Sequence, residues 1–268
     1  MINNKSPVCY FDFTTGSGTS LEDSAPLFFA NPRGVGNPQT ARANIAESAT
    51  SVSTAAGWGA TGYTFNAANL NAFYVLSGDA GYGDYAELFE GAECLLFWAN
   101  FRVDNDSGTT GQNTILACQA DSGKLISFEY SDGSASEQRL RTRTSRGGAA
   151  VTVANDSGSI KNTTDFFNVA VFIDTRTGQG NIYSTHSGSM NSSNSILTGP
   201  FSFTGASADQ GIVVGCTKTS TTPSAYFRGT IARMGLMNLG PNPPYNMANI
   251  MQGLFWSDGE PTTVLEGA

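Results

Sequence analysis

The stretch from Tyr226 to Asn238, Tyr-Phe-Arg-Gly-Thr-Ile-Ala-Arg-Met-Gly-Leu-Met-Asn, restricts the fold more than any other. In an extended chain side chains alternate between two faces. Phe227, Gly229 and Ile231 then share one face, while Met234 and Leu236 share the other. A regular strand would leave part of this apolar set facing the wrong way. One extra residue near Ala232 or Arg233, a β-bulge, brings all of it inward. The segment therefore predicts a bulged strand near the end of an all-β unit.

Composition agrees with many short strands. Charged residues make up 13% of the 268 residues and there are 31 glycines. Helical bundles and coiled coils need far more Glu, Lys, Leu and Arg. Cys94 to Val103 carries apolar residues on both faces at its start: Leu95, Phe97, Ala99, Phe101 and Val103 on one, Leu96 and Trp98 on the other. That pattern fits a central strand covered on both sides, with Trp98 in or near the core and Trp58 similarly placed. Further strands are predicted at Val8–Phe13, 72–76, 114–118, 125–130, 139–144, 149–153, 166–174, 181–183 and 211–215. Residues 16–24 read as loop, 31–57 as a long loop or extended segment, 85–90 as a helical turn and 245–253 as a short helix.

Several of these segments, taken in order, resemble the concanavalin A-like, laminin-G-like family. Phe227, Gly229, Ile231, Met234, Leu236 and Asn238 match its closing signature, and Pro241-Asn242-Pro243-Pro244 supplies the turn that follows. Gly57 to Asn66 resembles the family's Gly-x-Ala-x-Phe-Asp-Gly strand. Phe166 to Asp174 resembles its Trp-His-x-Val-Ala-Val-x-x-Asp strand, with Phe in place of Trp. Periodicity by itself gives a β-sandwich or barrel. The resemblance implies an antiparallel two-sheet jelly-roll sandwich, concanavalin A-like, over residues 1–253, with one short C-terminal helix and a C-terminal extension at 254–268.

The chemistry-bearing residues are few. Arg139, Arg141 and Arg143 alternate along a predicted strand and Arg146 follows, a local concentration in a chain with 14 Lys plus Arg. On a strand the first three share a face. They suit a carboxylate, sulfate or phosphate on a glycan or acidic partner, because guanidinium binds such groups through two parallel hydrogen bonds. The competing reading is a strand face balanced by acidic residues across the sheet. Asp104 and Asp106, in Asp-Asn-Asp-Ser-Gly, offer the hard oxygen ligands that calcium prefers, or simply an Asx-rich turn. Many relatives in the resembled family hold calcium with an Asp directly after the Ile of the closing signature. This chain has Ala232 there, so no cofactor is expected and structural calcium is weakly supported. Tyr82, Tyr85, Tyr183 and Trp256 are candidates for stacking on sugar rings.

Enzymatic activity is not expected. No strand carries the alternating carboxylates that polysaccharide hydrolysis needs. Glu129 and Asp132, three apart, fall on opposite faces and read as a solvated edge and turn. His186, the one histidine, sits in loop-like sequence, and no Gly-x-Ser-x-Gly elbow marks a nucleophile. The four cysteines, Cys9, Cys94, Cys118 and Cys216, form no Cys-x-x-Cys pair and read as buried free thiols.

A net charge of −8 argues against a general nucleic-acid surface. No apolar run is long enough to span a bilayer, and no secretory signal of the usual kind is visible. Together with an adhesive type of fold, this leads to the expectation of a non-enzymatic virion protein of a tailed bacteriophage: a capsid decoration, fibre or attachment component. It would be made in the host cytoplasm and released by lysis. Its expected partners are other virion proteins, copies of itself and surface glycans, with the chain ends held by neighbours. A free lectin-like carbohydrate-binding module is the main alternative, and a polysaccharide hydrolase or lyase a further one.

Overall fold

The computed structural model describes residues 8–14, 20–22, 40–45, 58–65, 71–76, 93–103, 111–119, 125–132, 138–146, 149–155, 166–174, 179–184, 191–194, 211–216 and 225–240. These form the strands β1 (Val8–Asp12), β2 (Ser20–Glu22), β3 (Thr40–Ile45), β4 (Trp58–Gly59), β5 (Gly62–Phe65), β6 (Asn71–Leu76), β7 (Cys94–Val103) and β8 (Gly111–Gln119). They continue as β9 (Leu125–Asp132), β10 (Gln138–Arg146), β11 (Ala149–Asn155), β12 (Phe167–Asp174), β13 (Gln179–Ser184), β14 (Asn191–Asn194), β15 (Gly211–Val214) and β16 (Gly229–Gly240).

Two eight-stranded antiparallel sheets result, packed as a jelly-roll sandwich. The first runs β14-β13-β12-β7-β16-β5-β4, with β1 also paired to β16; the second runs β11-β10-β9-β8-β15-β6-β3-β2. Phe97 and Phe101 of β7 meet Phe128 of β9 at ring-centroid distances of 4.6 and 6.3 Å, so these side chains lie between the sheets. Phe13, Phe65 and Phe227 continue the aromatic core through edge-on contacts of 6.1 and 5.8 Å. Edge-to-face packing of this kind sets the electropositive rim of one ring against the π face of the next.

The predicted bulge is present. β16 pairs with β7 as Ile231↔Phe101 and then Arg233↔Asn100, so Ala232 is the extra residue. Ile231, Met234 and Leu236 therefore all face the core, opposite Phe101, Ala99 and Phe97. The bulge also divides the other edge of β16. β5 pairs with Gly229–Ile231 and β1 with Arg233–Met237. The Ala232 carbonyl accepts the Phe13 N–H at 2.8 Å. At the same place Gly62, at φ +133°, brings its backbone against Ile231 and Ala232 where a Cβ would collide. A glycine is required there for both the conformation and the space.

β7 is central, between β12 and β16, and both of its faces are covered. Leu96 and Trp98, on the face turned away from the second sheet, are each 0% exposed. The Trp98 indole lies directly over Gly235, its cross-strand partner. Cys94 and Cys216 are buried and form no disulfide, as expected; Cys9 and Cys118 lie in β1 and β8, with side chains outside the description. Trp58 lies in β4, opposite Tyr63.

Two segments differ from the sequence reading. Residues 20–22 and 40–45 are strands, paired with each other and, through β3, with β6. Their composition shows no strand period because backbone pairing at a sheet margin holds them. The predicted turn at 85–90, the helix at 245–253, the extension at 254–268 and His186 lie outside the described residues.

Replacing Gly235 with Ala drives a methyl group into the Trp98 ring. We expect a loss of about 1–3 kcal/mol, the usual cost of overpacking, read from urea denaturation midpoints.

Candidate functional site: the outward face of the second sheet

Phe128 fixes the orientation of the second sheet, since it points at the first. Thr142 of β10 is its cross-strand partner and shares that inward face. Arg139, Arg141 and Arg143 alternate with Leu140 and Thr142 and so occupy the outward face, and the β9–β10 register is unbroken from Gln138 to Ser145. The row predicted from sequence therefore exists as a register. Arg146 does not join it. Paired with Ala149 at the end of β10, it falls on the opposite parity. Asp104 and Asp106 lie outside the described residues, as do Tyr82, Tyr85 and Trp256. Tyr183 sits in β13 of the first sheet, opposite Ala170.

Across from the arginines, β9 presents Ser131 to Arg139, Glu129 to Arg141 and Ser127 to Arg143. On the other side, β11 sets Asn155 against Arg141 and Thr152 against Arg143; the extra residue Val153 preserves this facing. One carboxylate thus lies opposite a row of three guanidinium-bearing residues, at its centre. Cross-strand neighbours of opposite charge attract, and Glu129 is the acidic residue of β9 set opposite Arg141. The strands β8, β10 and β11 contribute no Asp or Glu at all.

Glu129 is not a solvated edge residue, contrary to the sequence reading. β9 lies inside the sheet between β8 and β10, and Glu129 is 3% exposed and Ser127 1%. The Ser127 hydroxyl donates to Glu129 Oε1 at 2.5 Å. Thr114 of β8, fully buried, lies opposite Glu129 from the other side. A carboxylate at such depth is stable only with hydrogen-bonding partners.

The outward face of the first sheet carries a different polar group. Asn100 Nδ2 donates to Asn168 Oδ1 at 2.6 Å, and Arg102 Nη2 donates to Thr230 Oγ1 at 3.1 Å. Thr64 and Thr230 hydroxyls lie 3.0 Å apart, Arg102 sits 5.6 Å over the Phe166 ring, and Arg233 faces Asp12 at 3.6 Å. These side chains bind one another across β5, β16, β7 and β12, which suits a structural network.

Metal chemistry finds no cluster among the described residues: no three His, Cys, Asp or Glu come together. At Ala232, where the resembled family would have its ligating Asp, the chain has the bulge described above. No helix among the described residues is long and apolar enough to cross a membrane.

No protein-family model matches the chain, and no curated protein is similar to it in sequence. Among solved structures, a leech intramolecular trans-sialidase is similar at 14% identity and TM-score 0.47, covering 70% of this chain and 26% of that one. The CBM40 of the Ruminococcus gnavus IT-sialidase, bound to α2,3-sialyllactose, is similar at 12% identity and TM-score 0.46, covering 68% and 90%. Domains LG4-5 of the mouse laminin α1 chain are similar at 14% identity and TM-score 0.40, covering 65% and 44%.

Sequence reasoning placed Glu129 at a solvated edge and missed that Ser127 and Glu129 are buried in β9. The signal for Ser127 and Glu129 was present: polar residues alternating with Ile126 and Phe128. In a double-mutant cycle, Ser127→Ala and Glu129→Ala should couple by about 1–3 kcal/mol, the range for a hydrogen bond to a charged group. Urea denaturation of the four proteins measures it, and additivity would contradict the pairing.

Proposed function

We propose that the chain is a non-enzymatic binding protein that holds an anionic group of a glycan on the outward face of its second sheet. The observation that carries this reading is the register of β10. It sets Arg139, Arg141 and Arg143 on one face with a single carboxylate, Glu129, opposite them. In the strand register Arg139 and Arg143 lie across from Ser131 and Ser127. Arginine is suited to an anion brought by a ligand, because guanidinium binds such groups through two parallel hydrogen bonds.

The same face argues for binding over hydrolysis. Glycoside cleavage by two carboxylates needs them roughly 5–9 Å apart on one side of the substrate. In the four strands β8 to β11 the only acidic residues are Glu129 and Asp132, and they stand on opposite faces of β9. The wider setting we propose is the surface of a tailed-phage particle, as decoration, fibre or attachment component. A free lectin-like module would use the same row and differ only in lacking particle association.

Calorimetric titration with sialylated, sulfated and uronate-bearing oligosaccharides, and with neutral lactose as control, tests the binding. Acidic glycans should bind and lactose should not. Arg139→Ala and Arg143→Ala should each weaken binding about tenfold or more, the equivalent of one charged hydrogen bond. If no acidic glycan binds at millimolar concentration, the reading fails. Gradient sedimentation of a producing culture's lysate, followed by mass spectrometry, tests the setting. Co-migration with a major capsid protein is expected, and migration as a small free species points to the lectin.

A further inference from the structure

The junction where β1 and β5 divide the edge of β16 carries charge as well as backbone bonds. The bulge at Ala232 gives Arg233 the outward facing of Asn100, its partner on β7. In a regular strand Arg233 would share the facing of Ile231 and enter the core. On the other edge of β16, Arg233 stands opposite Asp12, the last residue of β1. Arg233 Nε lies 3.6 Å from Asp12 Oδ2, and both side chains are half-buried. Nε is itself buried and donates no hydrogen bond among the described residues, so its contact with Asp12 is one of charge. Opposite charges this close, and partly withdrawn from water, are screened less than they would be in solvent.

The other oxygens of the junction are engaged by donors. Asp12 Oδ1 accepts the Thr14 N–H at 2.9 Å and the Thr14 hydroxyl at 2.5 Å. The Ala232 carbonyl accepts the Phe13 N–H at 2.8 Å. The Ala232 side chain is a buried methyl group with no ligating atom, and the Gly62 backbone packs against it. Beyond Arg233 the cross-strand row continues into Asn100, whose amide donates to Asn168, so the row holds no second carboxylate.

Calcium takes about six to eight oxygen ligands at roughly 2.3–2.6 Å, with carboxylates prominent among them. This junction offers one carboxylate, already hydrogen-bonded, and beside it a guanidinium that repels a second cation. The residues therefore do not fit the calcium that relatives in the resembled family hold with an Asp at the position of Ala232.

We propose that Arg233 is the resident cation of this junction. Its guanidinium holds the carboxylate end of β1 onto the bulge, a place that a bound calcium would otherwise take, and the junction closes without metal. Positions 232 and 233 then act together: the first lacks a ligating side chain, and the second supplies the positive charge. This is independent of the anion-binding role proposed for β10.

The test is NMR of the full chain titrated with calcium chloride to about 10 mM, above the weakest affinities of protein calcium sites, about 1 mM. The backbone N–H signals of Phe13 and Thr14 should stay in place. So should the Nε–H signal of Arg233, assigned by its loss in Arg233→Lys. A saturable calcium-dependent shift of any of the three would overturn the proposal, whereas calcium bound at Asp104 and Asp106 would move other signals and not these. A double-mutant cycle by urea denaturation in the presence of EGTA gives the second readout. Arg233→Met and Asp12→Asn should each lower the midpoint, and together they should lower it by less than the sum of the two. Additive losses would mean that guanidinium and carboxylate do not act on each other, and would overturn the proposal as well.

Discussion

β16 has two edges and three neighbours. β7 takes one edge along its whole length; β5 and β1 must share the other. The bulge at Ala232 is what makes the sharing possible. It kinks the strand where one neighbour ends and the next begins, and it restores the inward facing of Met234 and Leu236. Gly62 lets the β4–β5 turn close against the kink, and the Phe13 N–H bonds to its carbonyl. Without the extra residue, the apolar residues on one side of position 232 would face outward, and the aromatic core would lose a wall.

The two sheets use their outward faces differently. The first buries Leu96 and Trp98 on its outer side and bonds its polar side chains to one another. The second sets Arg139, Arg141 and Arg143 in register with Ser131, Glu129 and Ser127, and Ser127 and Glu129 are buried and hydrogen-bonded to each other.

Much of the fold was legible in the sequence because burial leaves a periodic trace. Cys94 to Val103 reads as a central strand since both of its faces must avoid water, and the slip in parity at Ala232 reads as a bulge for the same reason. Margins leave no such trace. Thr40–Ile45 and Ser20–Glu22 pair through backbone groups that every residue possesses, so composition is silent about them. The arginine row was visible as alternation in one strand. The burial of Ser127 and Glu129 required knowing that β9 lies inside a sheet, and the pairing of Asp12 with Arg233 required knowing that β1 lies beside β16. Those facts belong to topology and have no local signature.

The pairing of β1 with β16 also sets the order in which the protein can be built. Val8 meets Met237, and Thr64 reaches Thr230 across 166 positions. Such contacts come with a large loop-closure entropy and fold slowly. While the chain is being synthesised, β7 and β12 can pair, but the seam beside them stays open until β16 has emerged. For that interval β1 and β5 present unpaired backbone and the apolar side chains of Phe11 and Phe65. A late-closing seam of this kind is the part of the fold most open to mispairing with other nascent chains.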